Sequence, residues 1–298
     1  MRIAFGLCVI SLLFGCGTKK KVVLQPQNQP IVVSDSFKVN ADTVKAPAIQ
    51  VPVHSEDGLI PSADLTISEN VRLMMMEGMN KEVDRADAMH YDVRKPSYVI
   101  IHHTAQTSIN QTIRTFQLPH TKVSAHYVIG RDGRVVQMLN DYLRAWHAGR
   151  SKWGNISDIN SISLGIELDN NGKEPFSDAQ ISALLTLLET LRAKYQIPMT
   201  NFIGHADIAP MRKDDPSVLF PWKRLAEHGF GVWYDESNLA PLPADFNYVD
   251  ALRIVGYDVS NLPATIRAFK RKFIVVDVNS VMTEYDKRVL FNLYRRYF

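Results

Sequence analysis

Two stretches of the sequence carry side chains that could bind a metal ion. His102 follows the apolar run 99–101. About a hundred residues later, His205 begins a loop that also contains the adjacent carboxylates Asp214 and Asp215. Two neutral imidazoles and one carboxylate form a ligand set suited to zinc, which in catalytic sites leaves its fourth position to water. Such an ion lowers the pKa of water to about 7 and polarises a carbonyl, so the set indicates amide hydrolysis near neutral pH.

The elements that must position these side chains follow from periodicity. Strand-type and helix-type segments alternate after Tyr91, and two of the strands are joined by the turn 130–133 into a hairpin. Strands are predicted at 97–101, 125–129, 134–138, 161–169 and 201–203, and helices at 109–118 and from Ser177 or Asp178, with Gln180 completing a capping box. This order predicts an α/β fold with a mixed central sheet flanked by helices.

Glu167 lies on the predicted strand 161–169, where apolar and other residues alternate. The alternation places Glu167 on the same face as Ser163 and Gly165, small residues that leave room around it. The chemical alternative for Glu167 is an ordinary surface carboxylate at a strand edge. His103, next to His102, points to the opposite face of an extended strand and is not expected to be a ligand.

The N-terminus has the pattern of an export signal. Residues 1–15 contain Arg2 and a short apolar run, which is typical of a signal peptide rather than a spanning helix. Residues 13–16 resemble a bacterial lipobox, which implies cleavage before Cys16 and its acylation; the alternative is a plain secretory signal. Cys8 is the only other cysteine, so no disulfide is expected. Without Arg2 the basic residues exceed the 31 acidic ones by two, which gives no case for nucleic-acid binding.

Composition divides the remaining chain into three parts. Residues 16–66 are interrupted by prolines and are predicted to be a flexible tether. Residues 67–235 are predicted to form the main domain, which begins with a helical extension at 67–89 whose methionine stripe is either core or a binding surface. Residues 242–298 contain helix-type segments at 245–255, 262–273 and 283–297, which predict a small all-helical C-terminal domain docked on the main one.

Five motifs of the main domain resemble a known family. They are Val99–Ala105, Ser124–Gly133, Ala145–Gly149, Ser163–Leu168 and Gly204–Pro216. Together, and in this order, they resemble the type 2 N-acetylmuramoyl-L-alanine amidases, a family that includes peptidoglycan-recycling amidases, phage amidases and peptidoglycan recognition proteins. With its lipobox and helical tail the whole chain is most similar to the outer-membrane lipoprotein amidases, whose tail resembles a peptidoglycan-binding module.

The resemblance assigns zinc to three ligands. It implies that His102, His205 and Asp215 bind the ion, and Asp215 is preferred to Asp214 because the family's liganding aspartate directly precedes a proline. Asp207 and Asp214 are then left with structural or solvated roles.

The resemblance also assigns roles around the ion. It implies that Glu167 is the catalytic general base and that Lys213 stabilises the oxyanion, for which the alternative is a solvated loop cation. Trp146 and His147 lie in a motif that lines the family's substrate groove, although packing of Trp146 in the core is the competing interpretation.

The function implied by the resemblance is zinc-dependent hydrolysis of the amide between N-acetylmuramic acid, or its anhydro form, and L-alanine of the peptidoglycan stem peptide. The expected partners are peptidoglycan or muropeptide fragments and, through Cys16, a membrane. The expected location is the outer membrane facing the periplasm, since Gly17 replaces the aspartate that retains lipoproteins in the inner membrane, and the expected state is a monomer. The alternative function is a non-catalytic peptidoglycan-binding or sensing lipoprotein; such members typically lose a ligand. A different zinc peptidase is disfavoured because no His-Glu-x-x-His motif occurs.

Overall fold

The structure, a computed structural model, describes residues 78–91 and 96–297. Its centre is a six-stranded mixed sheet in the order β1-β4-β3-β5-β2-β6. The strands are β1 Asp84–Arg85, β2 Tyr98–His103, β3 Tyr127–Ile129, β4 Val135–Gln137, β5 Ser163–Leu168 and β6 Phe202–Gly204. The helices are α1 Ile109–Gln117, α2 Asp178–Tyr195, α3 His205–Ile208, α4 Trp222–Glu227, α5 Tyr248–Val255, α6 Leu262–Phe273 and α7 Glu284–Tyr294.

The sheet is parallel through the four strands β3, β5, β2 and β6, and only the β3–β4 hairpin is antiparallel. The mixed sheet with flanking helices that the sequence predicts is therefore confirmed. Because parallel strands run in one direction, β2, β5 and β6 all end at the same edge. This edge gathers the side chains that the sequence singles out.

Alternation along each strand separates two hydrophobic cores. On one face, Ile101 of β2 and Ile166 of β5 pack with the leucines of α2. On the other face, Ile100 of β2 and Ile203 of β6 pack with the C-terminal helices. The four parallel strands β3, β5, β2 and β6 are therefore covered on both faces, as is usual for parallel sheets, whereas the edge strand β1 is exposed.

The C-terminal helices share their core with the sheet. Phe269 of α6 is fully buried in the same cluster as Ile100 and Ile203. Helix α7 begins with a capping box in which Thr283 and Asp286 each accept a backbone hydrogen bond. The helices predicted in the C-terminal part of the chain are present and pack against the sheet. Their buried residues belong to the same core as those of β2 and β6 and do not form a separate one.

Two sequence predictions need correction. Residues 78–89, the described end of the helix predicted at 67–89, are not helical, and residues 84–85 pair with β4 as strand β1. Residues 67–77, the predicted tether and Cys16 lie outside the described residues. Ser177 is the N-cap of α2 as predicted, but Gln180 does not complete a capping box. Its side-chain amide donates instead to the carbonyls of Ile129 and Asp169, because burial makes those carbonyls the groups that need a donor.

None of the helices in the described part of the chain is long and apolar enough to cross a membrane.

Candidate metal centre and active site

Strand register brings the candidate residues together at one edge of the sheet. His102 of β2 is the register partner of Glu167 of β5, so the two side chains lie on the same face. On the other side of β2, Ile101 pairs with Gly204, the last residue of β6. His205 follows at once as the first residue of α3, and therefore stands beside His102 although the two are 103 residues apart in sequence.

Three of these side chains form a small triangle of ligand atoms. Nδ1 of His102 lies 2.9 Å from Nδ1 of His205 and 3.0 Å from Oδ2 of Asp215. The third side, between Nδ1 of His205 and Oδ2 of Asp215, measures 3.1 Å. All three residues are buried, and within residues 78–91 and 96–297 they are the one such group able to hold a metal ion. Asp214, the alternative carboxylate, is exposed to solvent.

Hydrogen bonds fix which nitrogen of His102 carries its proton. The hydroxyl of Ser163 donates to the carbonyl of Ile159, at 2.7 Å, so its oxygen accepts from Nε2 of His147, at 3.1 Å. Nδ1 of His147 then has no proton and accepts from Nε2 of His102, at 3.0 Å. Neutral His102 is therefore protonated at Nε2, and its Nδ1 presents a lone pair to the triangle.

His205 reaches the same state through a single bond. Its Nε2 lies 3.0 Å from the carbonyl oxygen of Ala148, which can only accept, so Nε2 carries the proton and Nδ1 is bare. Two nitrogen lone pairs and a carboxylate oxygen thus converge on one point and repel one another unless a cation lies between them. Tetrahedral zinc with bonds of about 2.0–2.1 Å holds its ligand atoms about 3.3 Å apart, so the triangle fits such an ion to within a few tenths of an ångström.

The protonation states also suit a cation. Burial is the main cause that lowers the pKa of His102, and the neighbouring His205 is the second. Together they bring it to about 4, which keeps the imidazole neutral at physiological pH. Burial acts against ionisation of Asp215, but the imidazoles of His102 and His205 beside it outweigh burial, and the pKa of the carboxyl lies well below its usual range. His102 therefore offers a neutral imidazole and Asp215 a carboxylate, as the binding of a divalent metal requires.

Glu167 stands beside the triangle without belonging to it. Its Oε1 lies 3.9 Å from Nδ1 of His102, and its Oε2 is buried with no hydrogen-bond partner in the described structure. Burial, and then the charge of Asp215, raises the pKa of Glu167 to about 8, while the ammonium of Lys213 acts in the opposite direction. A carboxyl group with a pKa of about 8, beside a candidate metal site, is suited to exchanging protons with a reacting molecule.

An open cavity of about 360 Å³ lies over the triangle and is lined by His102, Glu167, His205, Lys213 and Asp215. The wall beyond them is formed by residues of the loop after β2, of α1 and of the segment that precedes β3, namely Thr104, Ala105, Gln106, Thr112, Thr115, Phe116, Val123 and Ser124. The predicted catalytic, metal-binding and substrate-binding residues of the described chain therefore line one cavity.

Trp146 and His147 both line this cavity but differ in surroundings. The Trp146 ring stacks on His90 with centroids 4.7 Å apart, and its indole nitrogen is buried with no hydrogen-bond partner in the described structure. His147 is buried, and its ring nitrogens contact His102 and Ser163. The predicted role of Trp146 as a groove residue is compatible with this position, whereas His147 is placed to orient a metal ligand.

Sequence reasoning missed the residues that support this arrangement. The side-chain oxygen of Asn160 accepts from the backbone N–H groups of His147 and Ala148, at 3.1 and 2.9 Å, and so fixes the loop that carries both. The strand alternation that found Glu167 also places Ser163 on the same face and could have identified it. No sequence pattern identifies Asn160, because its role depends on a loop contact across 13 residues.

His103 is outside the triangle, as expected for the neighbour of a strand-borne ligand. Its Nδ1 accepts the backbone N–H of Ser217 at 3.1 Å, so its ring holds the chain just beyond Asp215.

Comparisons with known proteins agree with this site. The sequence model described as N-acetylmuramoyl-L-alanine amidase matches residues 92–218, which include every candidate ligand. The N-acetylmuramoyl-L-alanine amidase AmiD of Escherichia coli is 37% identical in an alignment of length 186, which covers 54% of this chain and 66% of that protein. The 1,6-anhydro-N-acetylmuramyl-L-alanine amidase AmpD of Salmonella typhimurium is 34% identical in an alignment of length 170, which covers 50% of this chain and 91% of that protein.

A solved structure gives the same result in three dimensions. The structure of E. coli AmiD in complex with the substrate anhydro-N-acetylmuramic acid-L-Ala-D-gamma-Glu-L-Lys superposes with a TM-score of 0.61 and 31% identity, and covers 68% of this chain and 90% of that one. A relative more than 30% identical is thus matched over most of its length, in sequence and in structure alike. By these matches in sequence and in structure, the chain belongs to the N-acetylmuramoyl-L-alanine amidase family.

Proposed function

We propose that this protein is a zinc-dependent amidase that hydrolyses the bond between the lactyl carbonyl of N-acetylmuramic acid, in its anhydro form, and L-alanine of the stem peptide. The observation that carries the proposal is the convergence of two imidazole lone pairs and one carboxylate oxygen beside Glu167 in an open cavity. His102, His205 and Asp215 would hold the ion.

Zinc at this position supplies Lewis acidity, which acidifies water and polarises a carbonyl. Glu167 accepts a proton from the attacking water, because its carboxylate faces the triangle and Oε2 has no other partner in the described structure. The same carboxyl group then returns the proton to the amide nitrogen, which leaves as the amine of L-alanine. Lys213, on the wall of the cavity, places a positive charge where the carbonyl oxygen becomes negative.

The choice of the anhydro form is supported by the relatives. E. coli AmiD was solved with an anhydro-muramyl peptide, and the Salmonella relative is named for a 1,6-anhydro substrate. A cavity lined by polar and charged side chains together with Trp146 and Phe116 suits a ligand that has a sugar, an amide and a peptide.

We further propose that the mature chain is a lipoprotein anchored through Cys16 to the outer membrane, with the catalytic domain in the periplasm. The support is the lipobox-like sequence 13–16, Gly17 at the following position and the proline-interrupted tether that separates Cys16 from the first described residues.

Product analysis tests the proposed reaction. Protein without residues 1–16 is incubated with defined anhydro-muramyl and intact muramyl peptides, and the released stem peptide is measured by mass spectrometry. We expect a free L-alanyl stem peptide from the anhydro substrate, loss of release with a chelator, and recovery with zinc. Binding of muropeptide without release, in protein that also binds no zinc, would contradict the proposal and favour a non-catalytic binding protein.

A further inference from the structure

Asp207 is a buried carboxylate at the helix that begins with the metal ligand His205. Helix α3 has a single turn, from His205 to Ile208. Oδ2 of Asp207 accepts the backbone N–H of Gly204, the N-cap residue, at 2.8 Å. The backbone N–H of Ala206 donates to the carbonyl of Asp215, also at 2.8 Å. The turn therefore carries one candidate ligand and binds the backbone of another.

Lys272 of α6 and Tyr257 of the segment between α5 and α6 hold the Asp207 carboxylate. Lys272 of α6 places its ammonium 2.8 Å from Oδ2, and the hydroxyl of Tyr257 donates to Oδ1 at 2.8 Å. Asp207, Lys272 and Tyr257 are 2%, 5% and 2% exposed. The Lys272 ammonium also lies 4.1 Å from the ring centroid of Trp222. Both oxygens of the carboxylate are thus bound by groups from α6 and from the segment that precedes it.

These contacts decide the conformation of the turn. A single helical turn is not stable by itself, because forming it fixes several dihedral angles for one hydrogen bond. A buried carboxylate is stable only when its charge is paired and its oxygens accept hydrogen bonds. Without Lys272 and Tyr257, Asp207 must turn toward water, and the cap on Gly204 is lost with it.

We propose that the C-terminal helices are a positioning element of the metal centre. Lys272 and Tyr257 hold Asp207, Asp207 caps α3, and α3 presents Nδ1 of His205 to the ion. Both residues lie beyond residue 218, where the match to the family's sequence model ends. The inference rests on the proposed zinc site and adds to it a function for the tail besides contact with peptidoglycan.

Lys270 provides a matched control on the same helix. It is fully buried like Lys272, and its ammonium contacts Asp277, Asn279 and Asp286 at 2.8, 2.9 and 3.2 Å. All three partners belong to the C-terminal helices and the loop between them. Lys270→Met therefore removes a buried ammonium from beside the buried carboxylate of Asp286, as Lys272→Met does beside Asp207, without touching the metal turn.

The experiment compares zinc affinity in the full domain, without residues 1–16, by competition with a chromophoric chelator. We expect Lys272→Met to raise the zinc Kd about tenfold, the lower end of the range for groups that support metal ligands. Lys270→Met should stay within about twofold of the wild-type Kd, although its thermal midpoint falls as well. Hydrogen exchange of the zinc-free protein should be faster at residues 204–208 in Lys272→Met alone.

Tyr257→Phe tests the same inference with a smaller change. It removes one hydroxyl from Oδ1 of Asp207, and we expect the zinc Kd to rise about threefold, as for the loss of one hydrogen bond. This variant decides the matter if Lys272→Met does not fold.

Equal zinc affinity and equal exchange at residues 204–208 in the Lys272, Tyr257 and Lys270 variants would overturn the positioning role while leaving the proposed amidase intact. Wild-type protein that binds no zinc would overturn both.

Discussion

At the scale of single residues, Glu167 differs from the metal ligands because it can be changed without removing them. Its Oε1 lies 3.9 Å from Nδ1 of His102, outside the triangle of ligand atoms. We expect Glu167→Gln to bind zinc like the wild type and to lose about 10²–10⁴-fold in kcat, the usual contribution of a general base. Stem-peptide release and metal content measure the two effects. His205→Ala should lose both, and unchanged release by Glu167→Gln would remove Glu167 from the mechanism.

His147 tests whether proton placement on His102 matters. Because Nδ1 of His147 accepts the proton of Nε2 of His102, we expect His147→Ala to raise the zinc Kd about 10–100-fold. Measuring both the zinc Kd and the KM for muropeptide distinguishes orientation of His102 from the role that the sequence predicts for His147, which is contact with substrate. An unchanged zinc Kd with a higher KM would show that His147 acts by direct contact with substrate.

The sequence predicted the members of the site better than their division of roles. His102 and His205 each follow a recognisable strand, and the family motif distinguishes Asp215 from Asp214. The role of His147 was less accessible, because it depends on the 3.0 Å contact with a histidine 45 residues away. Asp207 was left with a structural or solvated role, since nothing near it in sequence indicates partners 50 and 65 residues further along.

At the scale of elements, β5 can approach the metal centre only because residue 165 has no side chain. A Cβ built at Gly165 lies 2.5 Å from Cγ of His147, closer than such atoms approach. We expect Gly165→Ala to lower the free energy of unfolding by about 1–3 kcal/mol, the usual cost of overpacking, and to weaken zinc binding. Chemical denaturation and chelator competition measure the two.

A double variant shows whether the clash is with His147. In Gly165→Ala/His147→Ala the ring is gone, so the stability loss should be smaller than the sum of the single losses. Strictly additive losses would place the strain elsewhere in the strand.

Strand and helix limits were predictable where the period is regular, as in β5 and α6. The order of strands was not predicted, because β2 lies between β5 and β6, which follow it in sequence. Such pairings depend on how the faces of α2 and of the C-terminal helices are covered, and no local pattern encodes this. The strand β1, with two residues, carries no period from which it could be found.

At the scale of the whole molecule, the shared core predicts that the C-terminal helices and the sheet unfold together. Phe269 is fully buried among residues of α6, β2 and β6. We expect Phe269→Ala to lower the free energy of unfolding by about 3–5 kcal/mol and to keep one transition by both circular dichroism and tryptophan fluorescence. Val276→Ala, at a side chain 92% exposed, is the control and should change stability by less than about 0.5 kcal/mol. Separate transitions would show that the helices are an independent domain.

The long sequence separation between His102 and His205 also bears on how the chain resists unfolding. An ion held by both imidazoles would cross-link two positions 103 residues apart. A chain without this cross-link has a larger conformational entropy when unfolded, and this entropy is lost on folding. On the chain-entropy account, a covalent link across a loop of about 100 residues is equivalent to about 4.7 kcal/mol. Both cysteines, Cys8 and Cys16, precede the described residues, so an ion bound there would supply the kind of cross-link that a disulfide supplies in many exported proteins. The proposed ion would then stabilise the fold as well as activate the substrate.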